Sequence, residues 1–213
     1  MVEIWATDSV GNQAFCNQTL VILPGDANCN CGADISGSIA NEANLTVSGV
    51  EVTLTNAQGA VVAKDTTAAN GLYSFSGVAE GEDYTLTPYK NTNLTNGVTT
   101  FDMVLITRHI LNVAPLNSPY KIIAADVNKS GTVTTFDLVG LQKVILNVDT
   151  SFPNGNTSWR FVPADYSFPD PAKPFEPAFP EFIHLTNFSG NKPEEDFIAI
   201  KVGDVNNSAN PQN

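Results

Sequence analysis

One sixteen-residue pattern is written twice in this chain. VTTFDMVLITRHILNV at 98–113 and VTTFDLVGLQKVILNV at 133–148 agree at ten of sixteen positions. Agreement of that order marks an internal duplication, and two copies of one unit are expected to fold alike. After each FD the apolar residues recur at helical spacing; Leu138, Leu141, Val144 and Ile145 share one face of the second helix. The two units are expected to pack as a pseudo-twofold pair, Leu105 and Ile110 facing Leu141 and Ile145.

Ahead of the second helix the chain reads DVNKSGTVTTFD, 126–137. A calcium loop of EF-hand type takes oxygen ligands at positions 1, 3, 5, 7, 9 and 12 and a Gly at 6 for the sharp turn. Those positions hold Asp126, Asn128, Ser130, Thr132, Thr134 and Asp137, with Gly131 at the turn. The plainer alternative is that Thr134 or Thr135 merely caps the helix. Capping alone does not require oxygen at positions 1, 3 and 5 together with Gly at 6, so Ca²⁺ is the expected ligand. The first copy is poorer. It offers Asn91, Asn93, Thr95, Gly97, Thr99 and Asp102, with Asn96 at the turn position, where Asn tolerates a left-handed bend. A single carboxylate there weakens affinity, since ligand charge tunes it. DVNNS at 204–208 echoes DVNKS and offers Asp204, Asn206 and Ser208, but nothing in line with it supplies a position-12 acid.

The net charge of −12 argues against nucleic acid as a partner, which needs a basic face. No apolar run reaches the roughly 18 residues of a membrane span. Before the duplication come short alternating stretches, DISGSIA, GVEVTLTN, AVVAKDTT, GLYSFSGV and DYTLTPY, separated by NAQG, AANG and AEGED turns. Val50, Val52 and Leu54 fall on one face and Glu51, Thr53 and Thr55 on the other. The fold class expected is mainly β with a small α part. An antiparallel β-sandwich is followed by the pair of loop–helix units and an extended tail rich in aromatics and Pro. The expected divisions are 1–23, a terminal β-hairpin; 24–33, a linker; 34–88, the sandwich; and 89–209, the duplicated module with its C-terminal extension. The tail's aromatics can form a carbohydrate platform or, more simply, clamp a small core that needs extra buried surface.

Met1 leads at once into a strand-like alternation rather than a signal peptide, so the chain is expected to be part of a longer secreted protein. Cys16 is expected to pair with Cys29 or Cys31 in an oxidising compartment. A zinc site is disfavoured because both His residues, His109 and His184, are remote from these cysteines.

Several segments resemble known families. GVEVTLTN, TTAANGLYSFSGV and GEDYTLTP resemble the prealbumin-like or Cna-B-type repeats of bacterial surface proteins, and ATDSVGNQAFC resembles the closing strands of an immunoglobulin-like domain. The duplicated loop–helix unit over about 91–148 resembles type I dockerins. That resemblance implies calcium in both loops and a cohesin-like partner, or neighbouring domains of surface proteins. Its contacts would fall on loop positions 10 and 11 and on basic helix residues, here Thr100, Phe101 and Arg108, and Thr135, Phe136 and Lys143. The whole arrangement is similar to very large secreted surface proteins of Bacteroidetes-type bacteria. This similarity implies an extracellular or cell-surface location and O-glycosylation at Asp-Ser/Thr motifs, here Ser9 and Thr66. Two functions compete: a calcium-stabilised docking module, and a calcium-rigidified spacer of an adhesin or filament without a cohesin partner. The chain lacks GxSxG, P-loop and HExxH motifs and a Cys–His nucleophile pair, so no enzyme is expected.

Overall fold

A computed structural model describes residues 2–7, 10, 13–18 and 32–213. The chain divides into two compact units, Met1–Cys31 and Gly32–Asn213. In the first, strands β1 (Val2–Thr7) and β2 (Gln13–Gln18) pair antiparallel, with Trp5 opposite Phe15. The Cys16–Cys29 pairing and the Ser9 glycosylation site lie outside the described residues.

In the second unit, β3 (Ala33–Ala40), β4 (Glu51–Asn56), β6 (Leu72–Val78) and β7 (Tyr84–Tyr89) follow the expected alternation, while β5 (Val61–Thr66) is exposed or half-buried along its whole length. Val52 and Leu54 of β4 are buried while Glu51, Thr53 and Thr55 line its other face. The helices are α1 (Thr100–Ile110), α2 (Pro119–Ala125) and α3 (Thr135–Ile145). Sequence periodicity did not reveal α2, which at seven residues is too short to show one; Ser118 accepts from Tyr120 N–H as its N-cap, and Pro119 opens it.

The tail contributes β8 (Trp159–Pro163), β9 (Ile183–Leu185) and β10 (Phe197–Lys201). These complete both sheets, whose orders are β6-β3-β10-β8 and β5-β4-β7-β9. Pairing is antiparallel except between β10 and β3, where Phe197 lies parallel to Ile39. Parallel neighbours need a long crossover. Here the crossover is everything from β4 to β9, helices included. The expected division at 88/89 therefore falls inside one compact unit rather than between two.

β8 is buried along its whole length because it separates two cores. Trp159 and Phe161, with Phe197 and Ala199, join the sandwich core of Ile35, Ile39, Leu54, Phe75 and Leu86. Val162, Ile200 and Val202 point the other way, into the core that Ile106, Ile123, Leu141 and Val144 supply from the helices. The order is helices, sheet, sheet. Of the remaining tail aromatics, Phe188 packs edge-on against Tyr84 in the sandwich core, and Phe168 meets Tyr120 of α2, Tyr166 and Phe179 edge-on at 5.0–6.1 Å between centroids. Most of these rings are buried or half-buried and close cores, as the clamp reading expects.

Candidate cation site and docking face

The loop 126–137 is closed by its own side chains. Asp126 Oδ1 accepts from Ser130 N–H at 2.8 Å and Oδ2 from Gly131 N–H at 2.9 Å. Lys129 (φ 54°) and Gly131 (φ 77°) take the left-handed backbone that folds these amides back towards position 1. Ser130 Oγ donates to the Thr132 carbonyl at 3.1 Å. At the far end Asp137 accepts from Thr134 N–H at 2.8 Å, forming a capping box, and from Asn128 N–H at 3.0 Å. Its carboxylate thus ties position 3 to position 12. Tail side chains hold the loop from outside: Asn156 donates to the carbonyls of Asp126 and Val127, and Asn154 to that of Asn128.

Asp126 and Asp137 are 1% and 0% exposed. Burial pushes the Asp137 carboxyl up; the Thr134 and Asn128 amides pull it back, and the Asp126 carboxylate pushes it up again. Two cations stand at the loop: Lys129 Nζ lies 3.6 Å from Glu181, and Arg160 holds Glu181 at 2.5 Å through Nη2 while its Nη1 stands 3.9 Å from Asp126 Oδ2. Two buried carboxylates, an amide, hydroxyls and a carbonyl form an all-oxygen set, and Arg160 is committed mainly to Glu181. This chemistry fits a hard divalent ion such as Ca²⁺.

The first copy keeps the helix but not the loop. Thr99 and Asp102 form the same capping box, Asp102 Oδ2 accepting from Thr99 N–H at 2.9 Å. Upstream the likeness ends. Asn91 Oδ1 accepts from Ser158 N–H at 2.9 Å, and Asn93 Nδ2 donates to Asn213 Oδ1 at 3.3 Å. Thr95 is exposed, its carbonyl taken by Val98 N–H. The expected left-handed bend at Asn96 lies instead at Asn93 (φ 51°) and Gly97 (φ 73°). The buried ammonium of Lys201 donates to the carbonyls of Asn93 and Leu94 at 2.9 and 3.1 Å and to that of Ser158 at 3.3 Å. Burial lowers its pKa to about 7. The side chains of Asn91 and Asn93 are thus engaged elsewhere, and Lys201 and the tail hold this segment in another turn. The Asp102 Oδ1 left over accepts from Val205 N–H at 3.1 Å.

The outer faces of α1 and α3 are alike. Phe101, Val104, Arg108 and Leu111 are exposed on one; Phe136, Val139, Lys143 and Leu146 hold the equivalent positions on the other and are exposed too. Phe101 and Phe136 are 58% and 75% exposed, and Thr100 and Thr135 beside them are exposed. Between the helices runs a groove of about 440 Å³ lined by Met103, Val104, Thr107, Gln142, Ile145 and Leu146. His109 is inward by comparison: its Nδ1 accepts from Leu116 N–H at 3.1 Å, a structural task. Thr66, at the end of β5, is exposed.

Residues 93–146 match the dockerin type I domain. Residues 33–103 match the SdrD B-like domain, so the β-sandwich and dockerin resemblances both stand. The dockerin match takes in both capping boxes and the loop 126–137 and does not include the tail. Among solved structures the chain is similar to the major pilin subunit BcpA of Bacillus cereus, at 18% identity over 42% of this chain and 26% of that one, TM-score 0.27. It is similar also to the group B streptococcus pilus 2b backbone protein, at 20% identity over 37% and 34%, TM-score 0.25. A C-terminal fragment of the pilus adhesin SpaC from Lactobacillus rhamnosus GG is 16% identical over 29% and 24%, TM-score 0.25. The chain spans about a third or less of the length of these proteins. No curated protein matches it. No helix among the described residues is long and apolar enough to cross a membrane.

Proposed function

We propose that this chain is a non-catalytic segment of a secreted or cell-surface protein whose dockerin part binds calcium at 126–137 and docks a cohesin-like domain. The observation that carries the docking half is the matched pair of exposed faces. Solvent-facing Phe at loop position 11 of both copies, each followed along its helix by Val, a basic residue and Leu, is apolar surface that the fold itself does not use. The calcium half is supported by the buried carboxylates of Asp126 and Asp137, which lack a fully committed counter-cation. Asp126, Asn128, Ser130, Thr132 and Asp137 would hold the ion, with Thr134 at position 9. Bound there, it neutralises both acids and fixes the start of α3.

Thermal unfolding in excess calcium and in chelator tests the first half. Calcium at about 100 times its dissociation constant stabilises by roughly 2.7 kcal/mol. An upward shift that Asp126→Ala diminishes is expected; no shift in the parent sinks the calcium reading. Titration against cohesin domains tests the second. Binding abolished by Phe101→Asp with Phe136→Asp supports docking, while calcium stabilisation without binding to any cohesin leaves the rigid spacer as the function.

A further inference from the structure

We propose that residues 204–209 are the front half of a second calcium site, whose back half is Gly97, Thr99 and Asp102 at the start of α1. The site is discontinuous: its two halves meet across 103 positions of sequence, at Asp102 and Val205. The contiguous stretch Asn91–Thr95 plays no part in it.

The correspondence with 126–137 is close at positions 1, 4, 5 and 7 and shifts by one residue at the closing acid: Asp102 accepts from Val205 N–H where Asp137 accepts from Asn128 N–H, and Asn206 N–H turns to Asp204 Oδ1. Ser208 N–H donates to Asp204 Oδ1 at 3.2 Å and Ala209 N–H to Oδ2 at 2.7 Å, as Ser130 and Gly131 do to Asp126. Asn207 is left-handed (φ 60°), as Lys129 is. Ser208 Oγ donates to the Gly97 carbonyl at 2.9 Å, repeating Ser130 and Thr132. Ala209 must therefore lie beside Gly97 as position 6 lies beside position 7. It does: a Cβ on Gly97 would stand 2.3 Å from Ala209 N. Asn96 and Asn210 lock the splice, Asn96 Nδ2 donating to the Asn210 carbonyl and Asn210 N–H to Asn96 Oδ1. The position-12 acid that DVNNS lacks in sequence is Asp102.

Internal hydrogen bonds account for Asp204 but not for everything in the loop. Asn206 Oδ1, at position 3, is buried and accepts no hydrogen bond. Such an oxygen is costly unless something else satisfies it. Asp102 and Asp204 beside it are 0% and 3% exposed, and each lacks a salt bridge among the described residues. Two carboxylates, an orphaned amide oxygen, a hydroxyl and a backbone carbonyl converge. That is a donor set for a hard divalent cation, and its mix of carbonyl and carboxylate suits Ca²⁺.

The proposal rests on the calcium reading of 126–137 only as its template, and calorimetric titration of the intact chelator-treated chain with CaCl₂ separates the two. Two sites per chain are expected. Asp204→Asn, which keeps the Oδ1 acceptor while removing charge, loses one; Asp126→Asn loses the other; Asn91→Ser with Asn93→Ser keeps both. A parent with a single site that Asp126→Asn removes overturns this proposal and leaves the first reading intact, whereas a parent with none overturns both. Loss of a site in the Asn91/Asn93 variant overturns it as well. Asn206→Ala guards against a folding artefact. Its affinity at this site falls roughly tenfold or more, ligand loss weighing at least as much as loss of supporting contacts. In chelator it unfolds at or above the parent's temperature and in calcium below it; a lower temperature in both means that the oxygen is structural.

Discussion

The two copies of the duplicated unit share a helix and differ in how their loops are made. Ile106 and Leu141 occupy the same position of α1 and α3, and both are fully buried. Thr99 and Thr134 make the same cap, closed by Asp102 and Asp137. Upstream of the caps one chain segment runs straight through Asp126 to Asp137, while the other turns aside at Asn91–Thr95 and leaves Asp102 to residues 204–209. The difference teaches that the helix half of such a unit is a local object, whereas the loop half is a set of positions that a distant segment can fill.

The strongest way to break the comparison is to cut equivalent core residues. Ile106→Ala and Leu141→Ala are each expected to cost about 2–5 kcal/mol, and by similar amounts, in urea denaturation. A large inequality would show that the helices are not equivalent after all. Lys201→Met comes next. It leaves the Asn93, Leu94 and Ser158 carbonyls without their buried donor and is expected to cost roughly 1–3 kcal/mol. Calcium binding at 126–137 should be untouched, so a calorimetric change at that site would argue that the copies are coupled. Thr99→Ala and Thr134→Ala remove matched caps, each at about 0.5–2 kcal/mol by thermal melts. The smallest effect belongs to the outer faces: Phe101→Ser and Phe136→Ser should stay within about 0.5 kcal/mol of the parent in the same melts. A larger loss would mean that these rings serve the fold and not a partner.

What could be read in the sequence was whatever is local. Val52 and Leu54 alternate with Glu51 and Thr53 because β4 has one wet face, and the TTFD caps carry their own acid three residues on. WRFVP at 159–163 shows no alternation because β8 is buried on both faces, so the tail looked irregular until its partners were known. PYKIIAA is too brief for helical periodicity to emerge. The proposed ligand positions of the second loop were legible because they are contiguous. Those of the first were assigned to Asn91, Asn93 and Thr95 by contiguity alone, and no pattern in a linear reading ties Asp102 to DVNNS.

The strand β10, which pairs with β3 on one side and β8 on the other, sets the order of events during synthesis. A ribosome releases β3 through β7 first, then the complete loop 126–137 with its two flanking helices. At that stage the edge of β3 is bare, the wall between the two cores is missing, and Asp102 has no partner loop. Only when Phe197–Lys201 and then Asp204–Ala209 emerge do the sheet and the loop against Asp102 close, within a few residues of each other. Non-local closure of this kind is slow compared with local helix formation. The nascent chain thus passes through a stage in which the second unit of the duplication can mature alone while the first waits for the last stretch of the described chain.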